Sequence, residues 1–137
     1  MMRNRESLIR LHKFQVDEKR RKVAELELML SEFRQRERDL EAQVEAEQRK
    51  AGISDVAHFA YPMFAKSVIR RRENILESID GIERQLEAAK EELSGAFREL
   101  KKYELLEGSR KRKVHKEAMR VEQAELDEVS LSIHRRH

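Results

Sequence analysis

The side chains best suited to acid–base or metal chemistry are five histidines, His12, His58, His115, His134 and His137. Imidazole titrates near neutral pH and ligates transition metals. Only His134 and His137 share a helical spacing, and they stand at a terminus expected to fray, with no further fixed ligand beside them. The histidines therefore read as solvated surface groups, and no metal or cofactor is expected. There is no cysteine, which removes disulfides and thiolate metal sites, so nothing in the chain demands an oxidising compartment. None of the four glycines is followed by the lysine and hydroxyl spacing of a phosphate-binding loop. No nucleophile and base fall into a pattern that a pocket could enclose, and the expected activity is none: the chain does not read as an enzyme.

Two clusters remain that could recognise a partner. Arg110, Lys111, Arg112 and Lys113, with Lys116 and Arg120, form the strongest basic run. Basic residues next to a heptad suit a helix in a DNA major groove, but a zipper needs its seam C-terminal to the basic region, and here the seam lies N-terminal. A net charge of +3 also supplies a weak phosphate footprint. Nucleic acid is not the expected partner; the run reads as a solvated charged face or as a site that docks on an acidic protein surface. The second cluster is apolar: Phe59, Tyr61, Met63 and Phe64, followed by Val68 and Ile69, holds three of the seven aromatic residues. It either plugs the end of a helical hairpin or offers an exposed docking patch. Phe64 lies off the seam described next and is the preferred outward contact.

The elements that position these clusters are set by composition and period. Of 137 residues, 42% are charged and 5% aromatic, far from the charged quarter of an ordinary globular domain, and the charges are mixed in sign. Leu, Glu, Arg, Lys and Ala in such proportions favour long helices or a coiled coil over a thick core. From Ile9 a 3-4-3-4 spacing runs through His12, Val16, Lys19, Val23, Leu26, Leu30, Phe33, Glu37, Leu40, Val44, Glu47 and Ala51, which is a heptad seam. Leu8, Leu11 and Met29 widen the stripe, whereas Phe14 and Leu28 fall outside it. The pattern stops at Ala51-Gly52-Ile53-Ser54-Asp55, where glycine and Ser/Asp caps read as a turn. Pro62 biases Tyr61 away from helix and suits a first helical position. The seam then resumes at Tyr61 and passes through Ala65, Val68, Arg72, Ile75, Ile79, Ile82, Leu86, Ala89, Leu93, Ala96, Leu100 and Tyr103, then Glu107, Arg110, Val114, Glu117, Val121, Ala124, Glu128 and Leu131, thinning after Tyr103. Gly81, Gly95 and Gly108 each cost about 1 kcal/mol relative to alanine inside a helix, which makes Gly108-Ser109 the expected bend.

The expected fold is all-α: a long two-helix antiparallel coiled-coil hairpin with an overhanging C-terminal helix, forming a single coiled-coil domain over 1–137. Helix one spans about 6–50, the turn about 51–61 and helix two about 62–133. A turn near residue 56 sets position i opposite roughly 115 minus i. That register brings Glu41, Glu45 and Glu47 toward Arg70, Arg71 and Arg72, and pairs Glu47 with Arg72 and His12 with Glu107 as polar layers that fix alignment. It also draws Arg3, Arg5, Arg10 and Lys13 toward the basic run. Residues beyond about 110 have no partner in helix one and await another protein or fray. The longest weakly polar stretch, Val56 to Ala65, is too short to span a bilayer, so the chain is expected to be soluble, unexported and without membrane insertion.

These features resemble the FliJ family of flagellar type III export proteins. The likeness covers nearly the whole chain and is carried by Leu8-Ile9-Arg10-Leu11-His12-Lys13-Phe14-Gln15-Val16-Asp17-Glu18-Lys19-Arg20, by Gly52-Ile53-Ser54 before Tyr61-x-x-Phe64, and by Glu122-Gln123-Ala124-Glu125-Leu126-Asp127-Glu128. The resemblance implies a coiled-coil stalk, similar to part of a rotary ATP synthase gamma subunit, that inserts into the hexameric export ATPase (FliI-like), stimulates it, and touches the export gate protein FlhA. It implies gate contacts at Phe64, Val68, Tyr61 and Ile75 on helix two and at Leu40 and Val44 on helix one. Contact of Arg110, Lys111, Arg112, Lys113, Arg3 and Arg10 with the ATPase ring follows from their charge. Export chaperones are the implied visitors to the C-terminal helix from Val114 to Leu131. The implied place is cytoplasmic, peripheral at the inner-membrane face of the flagellar base, in the service of motility and chemotaxis. A generic coiled-coil scaffold or chaperone, or the equivalent stalk of a virulence secretion system, is the alternative.

Overall fold

The computed structural model describes residues 2–51 and 55–136, and the side chains of 4–50 and 62–136. Every described residue is helical: α1 runs Met2–Ala51 and α2 runs Asp55–Arg136. Neither helix carries a positive φ among the described residues, and α2 passes through Gly81, Gly95 and Gly108 without a break, so the expected bend at Gly108-Ser109 does not interrupt it. Helix α2 also starts at Asp55 and runs through Pro62, ahead of the start expected near Tyr61. Proline removes one backbone donor and crowds the preceding turn, a penalty that a helix of 82 residues absorbs locally.

Two compact units make up the chain. The second, Asp17–Gly95, contains the main core: Leu26, Leu30, Ile79, Ile82, Leu86 and Ala89 are buried together, with Val23, Phe33 and Ile75 packed against them. Leu26 is the most completely buried side chain among the described residues, at 1% exposure. Here α1 and α2 run antiparallel, because Lys19 meets Glu92 at 3.0 Å, Arg34 meets Glu83 at 3.2 Å and Arg71 meets Gln43 at 3.5 Å. As numbers rise along α1 they fall along α2. Each of these pairs lies within four residues of the position opposite in the 115-minus-i register. The ion pairs are exposed and contribute little each, about 0–1 kcal/mol; apolar burial holds the seam.

The first unit joins 1–16 to 96–137. Its helices are antiparallel as well: Arg5 reaches Glu107 and the His12 ring stacks on Tyr103 with centroids 4.5 Å apart. Val16 and Leu100 are buried. From 111 to 136 every residue of α2 is exposed, so this helix overhangs its partner where α1 runs out. The fold class is thus all-α, an antiparallel two-helix coiled coil with an overhanging C-terminal helix, as the period predicts.

Candidate docking surfaces

In the first unit the seam ends on a charged node. Among the described residues, Glu107 is the buried charged one, 6% exposed. Arg110, one turn along the same helix, chelates its carboxylate with Nη2 at 2.7 Å and Nε at 3.1 and 3.3 Å, and the Arg5 guanidinium approaches from α1 at 4.0 Å. The Arg110 hydrogen bonds hold the Glu107 carboxyl below the usual glutamate range, against the opposing push of burial, and the charges of Arg110, Lys111 and Arg5 add to the effect. Glu107 in turn raises the Arg110 guanidinium further. A groove of about 450 Å³ opens beside this node, floored by Leu8, Ile9, Tyr103 and Leu106 and edged by Arg5, Arg110 and Lys113.

The polar layer expected between His12 and Glu107 is replaced here. His12 takes Tyr103 as its neighbour, and Glu107 takes Arg110 and Arg5. An arginine three residues away on the same helix reaches a carboxylate with two nitrogens, which a histidine across the seam cannot match. His12 is left with a buried Nδ1 that has no hydrogen-bond partner, a cost in free energy that the ring stack offsets in part.

Of the expected ATPase-ring residues, Arg110 is half-buried and committed to Glu107, whereas Lys111, Arg112 and Lys113 are exposed. Arg10 is exposed and weakly paired with Glu6 at 4.0 Å. The side chain of Arg3 lies outside the described residues. Beyond the node, Val114, Met119, Val121, Leu126, Val129, Leu131 and Ile133 are all exposed on the overhang.

In the second unit the expected gate residues fall in two environments. Leu40 and Val68 are buried at 5% and 6% exposure, Ile75 packs on the main core, and Val44 and Phe64 are half-buried. Tyr61 is outside the described side chains. The large apolar groups that face solvent near them are Met63, 78% exposed, and Ile69, 57% exposed. Phe64, preferred as the outward contact, is thus partly covered, and Met63 is the more open neighbour. The Glu–Arg layer expected across the seam gives way to other pairings: Glu45 holds Arg49 at 3.7 Å and Glu47 holds Lys50 at 3.8 Å on α1, while Arg71 donates to the Ser67 hydroxyl on its own helix and to Gln43 across the seam. Neighbours at i+3 and i+4 lie within easy reach on a helix surface, so these carboxylates close on their own helix first. Arg72, predicted in the seam, is exposed, since a long cationic side chain keeps its head in water.

No helix among the described residues is long and apolar enough to cross a membrane. No group of three or more His, Asp or Glu side chains among them is placed to hold a metal ion.

The described residues define an antiparallel two-helix coiled-coil protein whose second helix extends exposed past its partner. The chain belongs to the flagellar FliJ protein family, whose pattern it matches over residues 3–137. Two flagellar FliJ proteins of Caulobacter vibrioides, from strains NA1000 / CB15N and ATCC 19089 / CIP 103742 / CB 15, are each 30% identical over 125 residues, covering 91% of this chain and 90% of theirs. No solved structure matches. Family membership makes the chain a flagellar export component.

Proposed function

We propose that this chain is the coiled-coil stalk of the flagellar export ATPase: it inserts into the hexamer, stimulates it and contacts the export gate protein FlhA, and its overhang receives export chaperones. The observation that carries this reading is the ending of the first unit. Pairing stops at the Glu107–Arg110 node and α2 continues, fully exposed, behind the cations Lys111, Arg112 and Lys113. A helix that projects past its partner behind a basic collar suits entry into an acidic pore, and opposite charge speeds such docking. The chain would work at the cytoplasmic face of the inner membrane.

The test is the steady-state rate and hexamer content of the cognate export ATPase with and without this protein. Both are expected to rise. The variant Lys111→Glu/Arg112→Glu/Lys113→Glu should lose the stimulation while Arg110, which holds Glu107, is left in place so that the fold survives. Unchanged stimulation by the variant removes the basic contact, and no stimulation by the wild-type chain removes the stalk. For the gate, Phe64→Ala with Met63→Ala should weaken FlhA binding and leave ATPase stimulation intact.

A further inference from the structure

At about 100° per residue, the positions of α2 between Phe97 and Arg120 divide into two sides. Leu100, Tyr103 and Glu107 form the side that packs on α1. The opposite side, an arc of about 160° on that spacing, carries Arg98, Lys101, Lys102, Arg112, Lys113 and Lys116, together with His115 and Arg120. No carboxylate falls on this arc: Glu99, Glu104 and Glu117 all lie off it. In a chain whose net charge is only +3, a face of one sign over this length is a local concentration, not a consequence of composition. Arg120 leans off the arc to pair with Glu117 at 2.7 Å. His115 and the six other Lys and Arg side chains are exposed and have no ion-pair partner among the described residues, Lys102 lying over the Tyr103 ring at 5.7 Å. Between the cations stand three large apolar groups, Phe97, Leu105 and Met119, at 47%, 61% and 53% exposure.

We propose that this face of the first unit docks directly on an anionic lipid bilayer. Charge complementarity supplies the attraction, since each Lys or Arg near such a surface adds about 1 kcal/mol, or about fivefold in affinity. The apolar groups supply short-range contact with the headgroup–acyl boundary. The arrangement favours a bilayer over an acidic helix as occupant. Lys101 and Arg112 sit near the middle of the arc, where a packed helix would bury them; at a bilayer their stems lie along the boundary while their charges rise to the phosphates. It favours a bilayer over nucleic acid because exposed Leu105 and Met119 gain nothing from phosphate contact. The bilayer face shares Arg112 and Lys113 with the proposed ring contact, and Arg98, Lys101, Lys102 and Lys116 belong to it alone.

The experiment is co-sedimentation of the full chain with vesicles of phosphatidylglycerol and phosphatidylcholine, against vesicles of phosphatidylcholine alone, with duplex DNA as a separate arm. Binding to the anionic vesicles, falling with salt, is expected. Arg98→Gln/Lys101→Gln/Lys116→Gln should weaken it about a hundredfold, while the equally charged variant Arg20→Gln/Lys22→Gln/Lys90→Gln, in the second unit, should bind as wild type. Leu105→Ser should weaken vesicle binding and leave any DNA binding unchanged. Equal loss in both triple variants would reduce the effect to net charge and overturn the proposal, as would binding to DNA without binding to vesicles, or no vesicle binding at all. Lys111, Arg112 and Lys113 are untouched, so ATPase stimulation by the first triple variant separates this proposal from the stalk.

Discussion

Leu26 and Leu28 stand two residues apart on α1, identical in type and opposite in environment: Leu26 is 1% exposed and Leu28 is 62% exposed. Truncating each to alanine therefore isolates the seam from the helix that carries it. Helix propensity changes little and equally, because leucine and alanine are both good helix formers. For Leu26→Ala the transfer loss is three methylene equivalents at about 0.8 kcal/mol each, about 2.4 kcal/mol. A cavity cost adds to this, and buried Leu→Ala changes span about 2–5 kcal/mol. A core one side chain deep lets water or neighbours enter the gap, so the expected loss is at the lower end of that range, about 2–3 kcal/mol. Leu28→Ala should stay within about 0.5 kcal/mol of wild type. Urea unfolding followed by circular dichroism at the helical band reads both, and Leu26→Ala should lower the midpoint by about 1–2 M. Comparable losses in the two variants, or a loss below about 0.5 kcal/mol for Leu26→Ala, would refute the antiparallel seam as the source of stability in the second unit.

The Glu107 pair makes stability depend on pH in a stated direction. Its carboxyl is held below the ordinary glutamate range by Arg110, so its contribution is fully present above that range and is lost as pH falls through the lowered folded-state value. Glu107→Gln should be less stable than wild type at neutral pH, and the gap in Tm should close on acidification below about pH 4.3; a gap that stays constant would refute the assignment. Gly81→Ala should stabilise by about 0.5–1 kcal/mol, because an added Cβ there meets nothing within 4 Å; thermal denaturation with unchanged or lower Tm would show strain that the geometry lacks.

Periodicity carried most of the architecture. Every seam position from Ile9 to Glu47 is buried or half-buried, and on α2 the same holds from Ala65 to Arg110 apart from Arg72, whereas the positions that continue the period from Val114 to Leu131 are all exposed. Phe14 and Leu28, which the heptad could not accommodate, are exposed at 57% and 62%. The overhang was legible from the unequal lengths of the two periodic stretches. The partners of individual polar groups were not. His12 and Glu107 sit where the register sets them, but which atom meets which depends on side-chain reach, and Arg110 wins Glu107 by being one turn away on the same helix. The start of α2 was misplaced because the proline rule describes a preference of the residue before it, not a barrier to a long helix. Of the expected gate contacts, Val68 and Leu40 carry the right chemistry for an interface and are used inside the molecule; apolar character alone does not tell an inner face from an outer one. The carboxylate-free face of 97–120 needed no structure to count, but only the position of α1 shows that it points away from the seam.

The buried side chains of the second unit form one cluster, Leu26, Leu30, Ile79, Ile82, Leu86 and Ala89, strung along the seam between two helices. Such a core opens like a zipper, since removing a terminal layer costs only that layer and exposes the next. Within this unit, amide exchange should be slowest around Leu26, Ile82 and Leu86 and quicken along each helix away from them as a gradient, not a step.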